Sequence, residues 1–425
     1  MKGRPPRTSF ASEMRENEYD AIVVGARCAG SPTAILLARK GFKVLVVDRA
    51  KFPSDTISTH LIHPPGVAAL EEWGLLDRLV ATGCPGIDTY LFDFDAREYG
   101  PFTIEGAPGT DEAPRAYAPR RTVLDKLLVD AAAEAGAEVR EGFTVADVLI
   151  EEGRATGIRG QRKGEPAVTE RASVVVGADG HHSLVARRVG AEQYNEKPPL
   201  QVSYYTYVSG LPMDGRYEVH LRPGRGFAAW PTNDGLTVVI AGWPRSELVA
   251  NRNDIEGNFA ATLELVPEFA ARFHAATRET RFVGQSLANF LRKPFGAGWA
   301  LVGDAGYTKD FITALGISDA FRDAELCVTA LGEALSGTRP FEAAMAEYHA
   351  ERDRRSLPFY EFTAELATLE PLPQELQQVL AAVAGNPEAM DQFARVGGAV
   401  TSPADFLSEE NVGRLLAAAG EPSGA

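Results

Sequence analysis

Cysteine is scarce in this chain. Cys28, Cys84 and Cys327 are the only three among 425 residues and lie far apart, so neither a disulfide framework nor a CxxC redox or metal pair can be built. Positive charge is also short, with 43 Lys and Arg against 58 Asp and Glu for a formal charge of -15. A nucleic acid or an anionic membrane surface needs a basic footprint, and neither is expected as a partner. No apolar run approaches the ~18 residues of a membrane-spanning helix, which excludes membrane insertion by such a helix. Residues 1–17 are polar with several bases and no apolar stretch; they read as a flexible tail and not a signal peptide. A cytoplasmic setting is the simplest expectation. The composition, 45% hydrophobic and 24% charged, is that of a globular chain too long for one core.

What is present begins at Tyr19. Ala21 to Val24 is a β-branched apolar run, the pattern of a strand buried on both faces. Gly25 breaks it, and Ala26 to Arg39 is rich in Ala and Leu, which predicts a helix stopped by Gly41. Lys43 to Val47 predicts a second buried strand with Asp48 at its tip. A β-α-β nucleotide site needs a carboxylate there, about 20 residues after its glycines, to accept from ribose hydroxyls. Gly25 and Gly30 supply the sharp turn and the close helix approach, but Arg27 stands where a middle glycine is usual. Such a turn still holds a phosphate when the arginine points outward.

The loop after Asp48 lies over the mouth of this crevice, so Ser58, Thr59 and His60 are candidates to touch the reactive end of a cofactor. His60 and His63 have a metal-like spacing but no Cys or acidic cluster joins them, and no metal is expected. Residues 86–117 read as strands and loops of an inserted sheet. Arg121 precedes an amphipathic helix over Leu124 to Ala135; arginine at a helix start opposes the dipole and points to service of an anion. Ala137 to Arg140, Phe143 to Ile150, Ala155 to Arg159 and Val168 to Ala172 alternate like an antiparallel ribbon. Two further buried strands end in Gly and Asp: Val174 to Val176 before Gly177 and Asp179, and Trp299 to Val302 before Gly303 and Asp304. Carboxylates at such strand ends point into one crevice.

Taken in order, GxxxxG with Asp48, Arg-x-x-Leu at Arg121, the GADG turn at Asp179 and the VGDA turn at Asp304 resemble the FAD-dependent monooxygenases of the para-hydroxybenzoate hydroxylase type, with the related flavin halogenases and geranylgeranyl reductases. The resemblance spans roughly residues 18 to 335. It implies an α/β fold: a Rossmann-like FAD-binding domain over 18–85, 116–190 and 282–335, a mostly antiparallel substrate domain over 86–115 and 191–281, and a C-terminal helical region over 336–425. By it, Gly25, Ala26, Gly30 and Ser31 hold the FAD pyrophosphate, Asp48 and Arg49 sit at the adenosine, Arg121 reaches the phosphate or ribityl region, Asp179 serves FAD and NAD(P)H, and Asp304 accepts from the ribityl chain. Gly316 and Ile317 open a helix whose amides favour negative charge on reduced flavin. Departures are Asp310 and Phe311 where proline is usual, and Tyr307 where histidine is common; His60 and Tyr307 are the catalytic candidates.

Between the two aspartate turns, Gln201 to Val208, Tyr217 to Leu221, Gly226 to Trp230 and Leu236 to Gly242 predict strands of a sheet roofing the flavin. Tyr204, Tyr205, Tyr207, Phe227, Trp230 and Trp243 suit a flat apolar ligand. Most of them fill core; Tyr207 and Trp230, with Phe311, are expected at the substrate. Residues 230–242 contain no arginine, so a substrate without an essential carboxylate is expected. Beyond residue 336, helices are predicted over Pro340 to Tyr360, Glu361 to Leu369, Pro373 to Ala384 and Ser408 to Ala418, closing the substrate side of a monomer or homodimer. The activity implied is hydroxylation of an aromatic or polyketide-like small molecule with NAD(P)H and dioxygen through a flavin C4a-hydroperoxide. No second β-α-β unit appears, which fits NAD(P)H as a visiting co-substrate. A halogenase would carry WxWxIP where this chain reads GFAAWP, a prenyl reductase would carry a cysteine where Ile57, Ser58 and Thr59 stand, and a flavin-binding scaffold without turnover is the third alternative.

Overall fold

The computed structural model describes residues 19–96 and 100–420; the tail expected over 1–17 lies outside them. Along the chain, β1 (Tyr19–Val24), α1 (Gly30–Arg39) and β2 (Val44–Asp48) form the opening unit. They are followed by α2 (Pro64–Glu72), β3 (Thr89–Ala96), β4 (Gly100–Gly106), α3 (Arg121–Glu134) and β5 (Glu138–Glu141). A ribbon comes next, β6 (Phe143–Glu151), β7 (Arg154–Arg162) and β8 (Val168–Gly177). Four long strands succeed it: β9 (Gln201–Ser209), β10 (Arg216–Arg222), β11 (Arg225–Pro231) and β12 (Leu236–Pro244). Last are β13 (Trp299–Leu301), α4 (Gly316–Leu335), α5 (Phe341–Ala367), α6 (Gln374–Ala384) and α7 (Pro387–Gly397). The α/β class expected from the sequence is the class observed.

In the first sheet, β13, β8, β1, β2 and β5 run parallel in that order. Successive side chains take opposite faces of a strand. Ala21, Val23, Val44 and Val46 therefore share a core with Leu37, Leu124, Leu128 and Phe321 of the helices, whereas Ile22, Leu45 and Val47 pack with Val148 and Ile158 of the ribbon. Each such Leu, Ile or Val contributes about 1.5–3 kcal/mol by leaving water. Two expectations need correction here. The first helix starts at Gly30 and not at Ala26, because residues 25–29 form the turn. β5 joins the main sheet beside β2 rather than the ribbon; its Glu-Val-Arg-Glu alternation reflects an edge strand half open to water.

The second sheet has the order β9, β12, β11, β10, β3, β4, antiparallel throughout except for the parallel β10 and β3 pair. Its two faces divide the aromatic residues. Tyr205, Tyr207, Tyr217 and Trp230 turn toward Leu61 and Ala314, while Phe227 and Trp243 pack under Phe259 and Phe269 of two short helices, Ile255–Leu263 and Pro267–Ala275. The C-terminal helices cover the outer strands, with Phe94 and Ile104 against Val379, Leu380 and Phe393. α5 is one continuous helix containing Pro358, where two were expected. α7 was not among the helices expected; Asn386 is its N-cap and Pro387 its first residue.

Candidate active site

Backbone pairing sets Val24 beside Val47 and Gly177, and Gly177 beside Leu301. The tips of β2, β1, β8 and β13 therefore lie in one line at the carboxyl edge of the sheet, where open α/β sheets bind ligands. Gly25 has φ +104, and a Cβ on it would overlap the carbonyl of Ala178; a Cβ on Gly30 would overlap the carbonyl of Gly25. The turn is thus closed on backbone contacts that exclude any side chain. Gly303 has φ +56, and a Cβ there would lie 2.8 Å from Ala29 Cβ, so the turn carrying Asp304 abuts the turn after β1.

The polar groups around these tips divide into occupied and open. Ala26 N–H donates to Asp48 Oδ2 at 2.8 Å and Ala50 N–H to Oδ1 at 2.7 Å, so Asp48 braces both turns. Arg49 beside it is exposed. Ser31 Oγ donates to the Ala26 carbonyl at 2.7 Å and holds the turn. Asp179 caps the short helix after it, accepting from Ser183 Oγ at 2.5 Å, Leu184 N–H at 2.6 Å and Val185 N–H at 3.2 Å. Asp304 differs: it is exposed between buried Gly303 and Ala305, open to the crevice yet walled in. Desolvation lifts its carboxyl to about 6, opposed by Lys309 and Arg121 and reinforced by Asp319 and Asp323. Gly316 opens α4 in free space, where an added Cβ would meet no atom within 4 Å, and the positive end of that helix favours an anion. A side-chain-free turn, a free carboxylate and a helix N-terminus on one edge fit a dinucleotide.

Arg27 resolves the missing middle glycine. Its guanidinium leaves the turn to pair with Asp125 of α3 and donates to Ser54 O at 3.2 Å and Ser54 Oγ at 3.1 Å. Arg121, the first residue of α3, binds the same carboxylate through Nε at 3.0 Å and Nη2 at 2.8 Å. Arg121 thus has an anionic partner one turn along its own helix. Asp125, which no sequence motif singles out, is fully buried and ties the glycine turn to α3.

Above the crevice, the turn Phe311 to Ala314 before α4 faces β9 to β12 across a slot of about 430 Å³. Trp230, Ile240, Phe311, Thr59, Gln201 and Ser203 line it, and no charged side chain does. Its polar end is built at long range. Gln201 Nε2 donates to Asp310, Ser203 Oγ donates to Gln201 Oε1 at 3.3 Å, and Gly242 leaves room for both, since a Cβ there would lie 2.6 Å from each. Burial pushes the Asp310 carboxyl up to about 6. Gln201 and Asp310 were not foreseen, and no local pattern links residues so far apart.

Trp230 and Phe311 thus reach the slot, but Tyr207 does not line it. Tyr207 instead places its hydroxyl 2.5 Å from His60 Nε2, beneath the Arg120 guanidinium at 5.0 Å from the ring. His60 is wholly buried at φ +63, and its Nδ1 has no partner. Burial, with Arg121 and Arg120, drives its pKa down to about 3, so it is neutral. A left-handed non-glycine residue with an unsatisfied nitrogen is strain of the kind found at working sites. His63 braces the turn, bonding Tyr90 Oη at 2.7 Å and the Thr313 carbonyl at 3.1 Å. Tyr307 is buried beside Leu291 and Tyr360, its hydroxyl held by Lys309 and Asp319; it does not line the slot.

Among known proteins, residues 18–363 match the family model described as FAD binding domain. The digeranylgeranylglycerophospholipid reductase of Methanocella arvoryzae is 26% identical over 344 residues, covering 79% of this chain and 83% of that protein. The myxobacterial chondrochloren halogenase CndH superposes with a TM-score of 0.76 at 23% identity, over 95% of this chain and 97% of that one. A flavoprotein/dehydrogenase from Cytophaga hutchinsonii gives a TM-score of 0.79 at 19% identity, over 94% and 98%. These two structures speak for the fold alone. Resting on the matched family and on a crevice that fits the dinucleotide, the assignment is that the chain belongs to the FAD binding domain family and is an FAD-dependent oxidoreductase.

Proposed function

We propose that the protein is a monooxygenase that uses NAD(P)H and dioxygen to hydroxylate an aromatic or polyketide-like small molecule. The observation that carries this reading is the slot between the Phe311 turn and the Trp230-bearing sheet, half open, mostly apolar and free of charged side chains. Bound FAD supplies the hydride and oxygen chemistry. The chain supplies position and dryness, which protect a reactive oxygen-transferring species from water. In this reading Gly25, Ala26 and Gly30 admit the pyrophosphate against backbone, Asp48 and Arg49 meet the adenosine, Asp304 accepts from the ribityl hydroxyls, and the amides of Gly316 and Ile317 stabilise negative charge on the reduced ring. Trp230 and Phe311 sandwich the substrate, and neutral His60 holds the Tyr207 hydroxyl outside the slot.

Alkene reduction is the second reading, favoured by the sequence relationship to the reductase. It is weakened by Ile57, Ser58 and Thr59, which stand where such a reductase would carry a cysteine. The two separate by oxygen. With a panel of phenols, the hydroxylase consumes NAD(P)H and dioxygen in equal amounts, gains an oxygen atom from labelled dioxygen in the product, and stops after one reduction without air. Anaerobic turnover to a saturated product would overturn the proposal.

A further inference from the structure

A larger opening lies beyond the slot. The space between Phe92 and Phe94 of β3, Phe359 and Phe362 of α5, and Leu376 and Leu380 of α6 amounts to about 870 Å³, counting the part open to solvent. No charged side chain lines it. A partly open pocket walled by apolar and aromatic side chains keeps hydrocarbon surface in contact with water, which an apolar ligand would cover. A space of this size between well-packed aromatic walls is of the kind that holds a ligand.

Its position says which ligand. Tyr217, Val219 and Leu221 alternate along β10 and so share one face; with Ile312 they line both the slot and the larger cavity. The two spaces therefore adjoin at Tyr217, Val219, Leu221 and Ile312. At the far end of the slot, Asp310 takes the amide Nε2 of Gln201, which fixes the side chain so that Oε1 is the acceptor turned to Ser203. The slot therefore offers an acceptor for a hydroxyl or N–H at one end and opens on hydrocarbon-like walls at the other. Neither chamber provides a cation for a phosphate or carboxylate.

We propose that the two chambers form one binding site for an uncharged molecule with a hydrocarbon tail, its hydroxyl- or N–H-bearing head in the slot and its tail in the cavity between β3, α5 and α6. The identity of the head as the oxidised part rests on the hydroxylase reading; the tail site does not.

The test is binding, read from the Trp230-dependent fluorescence of FAD-loaded protein, with 4-alkylphenols of increasing chain length. Each buried methylene is worth ~0.8 kcal/mol, so affinity rises about fourfold per carbon until the cavity is full. The 4-alkylbenzoate of equal length binds at least tenfold more weakly. Leu380→Trp, and independently Phe362→Trp, fills the cavity and removes the gain with chain length. Affinity flat across the series in the wild type, an unchanged gain in both filled variants, or a benzoate as tight as its phenol would overturn the proposal. Chain-length-dependent binding without oxygen-dependent turnover leaves the site standing and removes the hydroxylase reading. Hydroxylation of short phenols without any gain does the reverse.

Discussion

Replacing Asp125 by alanine is expected to lower unfolding stability by about 3–5 kcal/mol, the cost of stripping the partner from a buried charge. The carboxylate is fully buried and is shared by Arg27 and Arg121. Without it the Arg121 guanidinium, itself 8% exposed, keeps its charge and loses its closest counter-ion. Arg27 is a quarter exposed and can turn to water, so most of the cost falls on Arg121. The glycine turn is held to α3 through the same group, so FAD retention should fall together with stability. Asp125→Asn keeps one acceptor oxygen and should lose less. Denaturant midpoints at constant slope measure both; a loss under ~1 kcal/mol for the alanine variant would show that the shared carboxylate does not brace the turn.

Gly30→Ala should be severely damaging for the addition of a single methyl. The added Cβ would overlap the carbonyl of Gly25 and lie 3.1 Å from Ala178 Cβ, and neither neighbour is the movable end of a flexible side chain. Relief requires the β1 turn to shift away from β8, which opens the crevice. A loss above ~3 kcal/mol is expected, at the severe end for point substitutions, with little or no flavin retained. Gly316→Ala supplies the contrast, because nothing lies within 4 Å of its Cβ. Its stability should stay within ~0.5 kcal/mol of wild type, since alanine is no worse than glycine in a helix. Equal melting temperatures for the two variants would contradict the role given to the turn.

Much of the fold is legible where physics is local. Val23, Val46, Val175 and Ala300 sit in continuous apolar runs, because strands buried on both faces cannot alternate, and glycine must follow where the backbone turns sharply. β5 escapes its pattern because an edge strand alternates whichever way its neighbour runs. The start of α1 is hidden because Ala26 and Ala29 favour helix by propensity while the closed turn overrides them. In the site, the strand-end residues Gly25, Asp48, Asp179 and Asp304 announce themselves by punctuation. The pairings that shape the site around them do not: Arg27 with Asp125, Gln201 with Asp310 and His60 with Tyr207 join residues from different elements. A sequence pattern records that a residue could bond, and only tertiary packing decides with whom. Tyr307 shows the same limit, since its place after Asp304 says nothing of the Lys309 and Asp319 pair that encloses it.

Central to the proposed function is the convergence of the strand tips upon one dinucleotide, with Asp304 as the carboxylate left free to meet it. Titration of FAD into the purified protein and its Asp304→Ala variant tests this most directly. The expected result is stoichiometric uptake by the wild type and an affinity at least tenfold weaker in the variant, with melting of the unliganded proteins unchanged. A wild-type protein that stays colourless in added FAD, or an alanine variant that binds FAD as tightly, would contradict it.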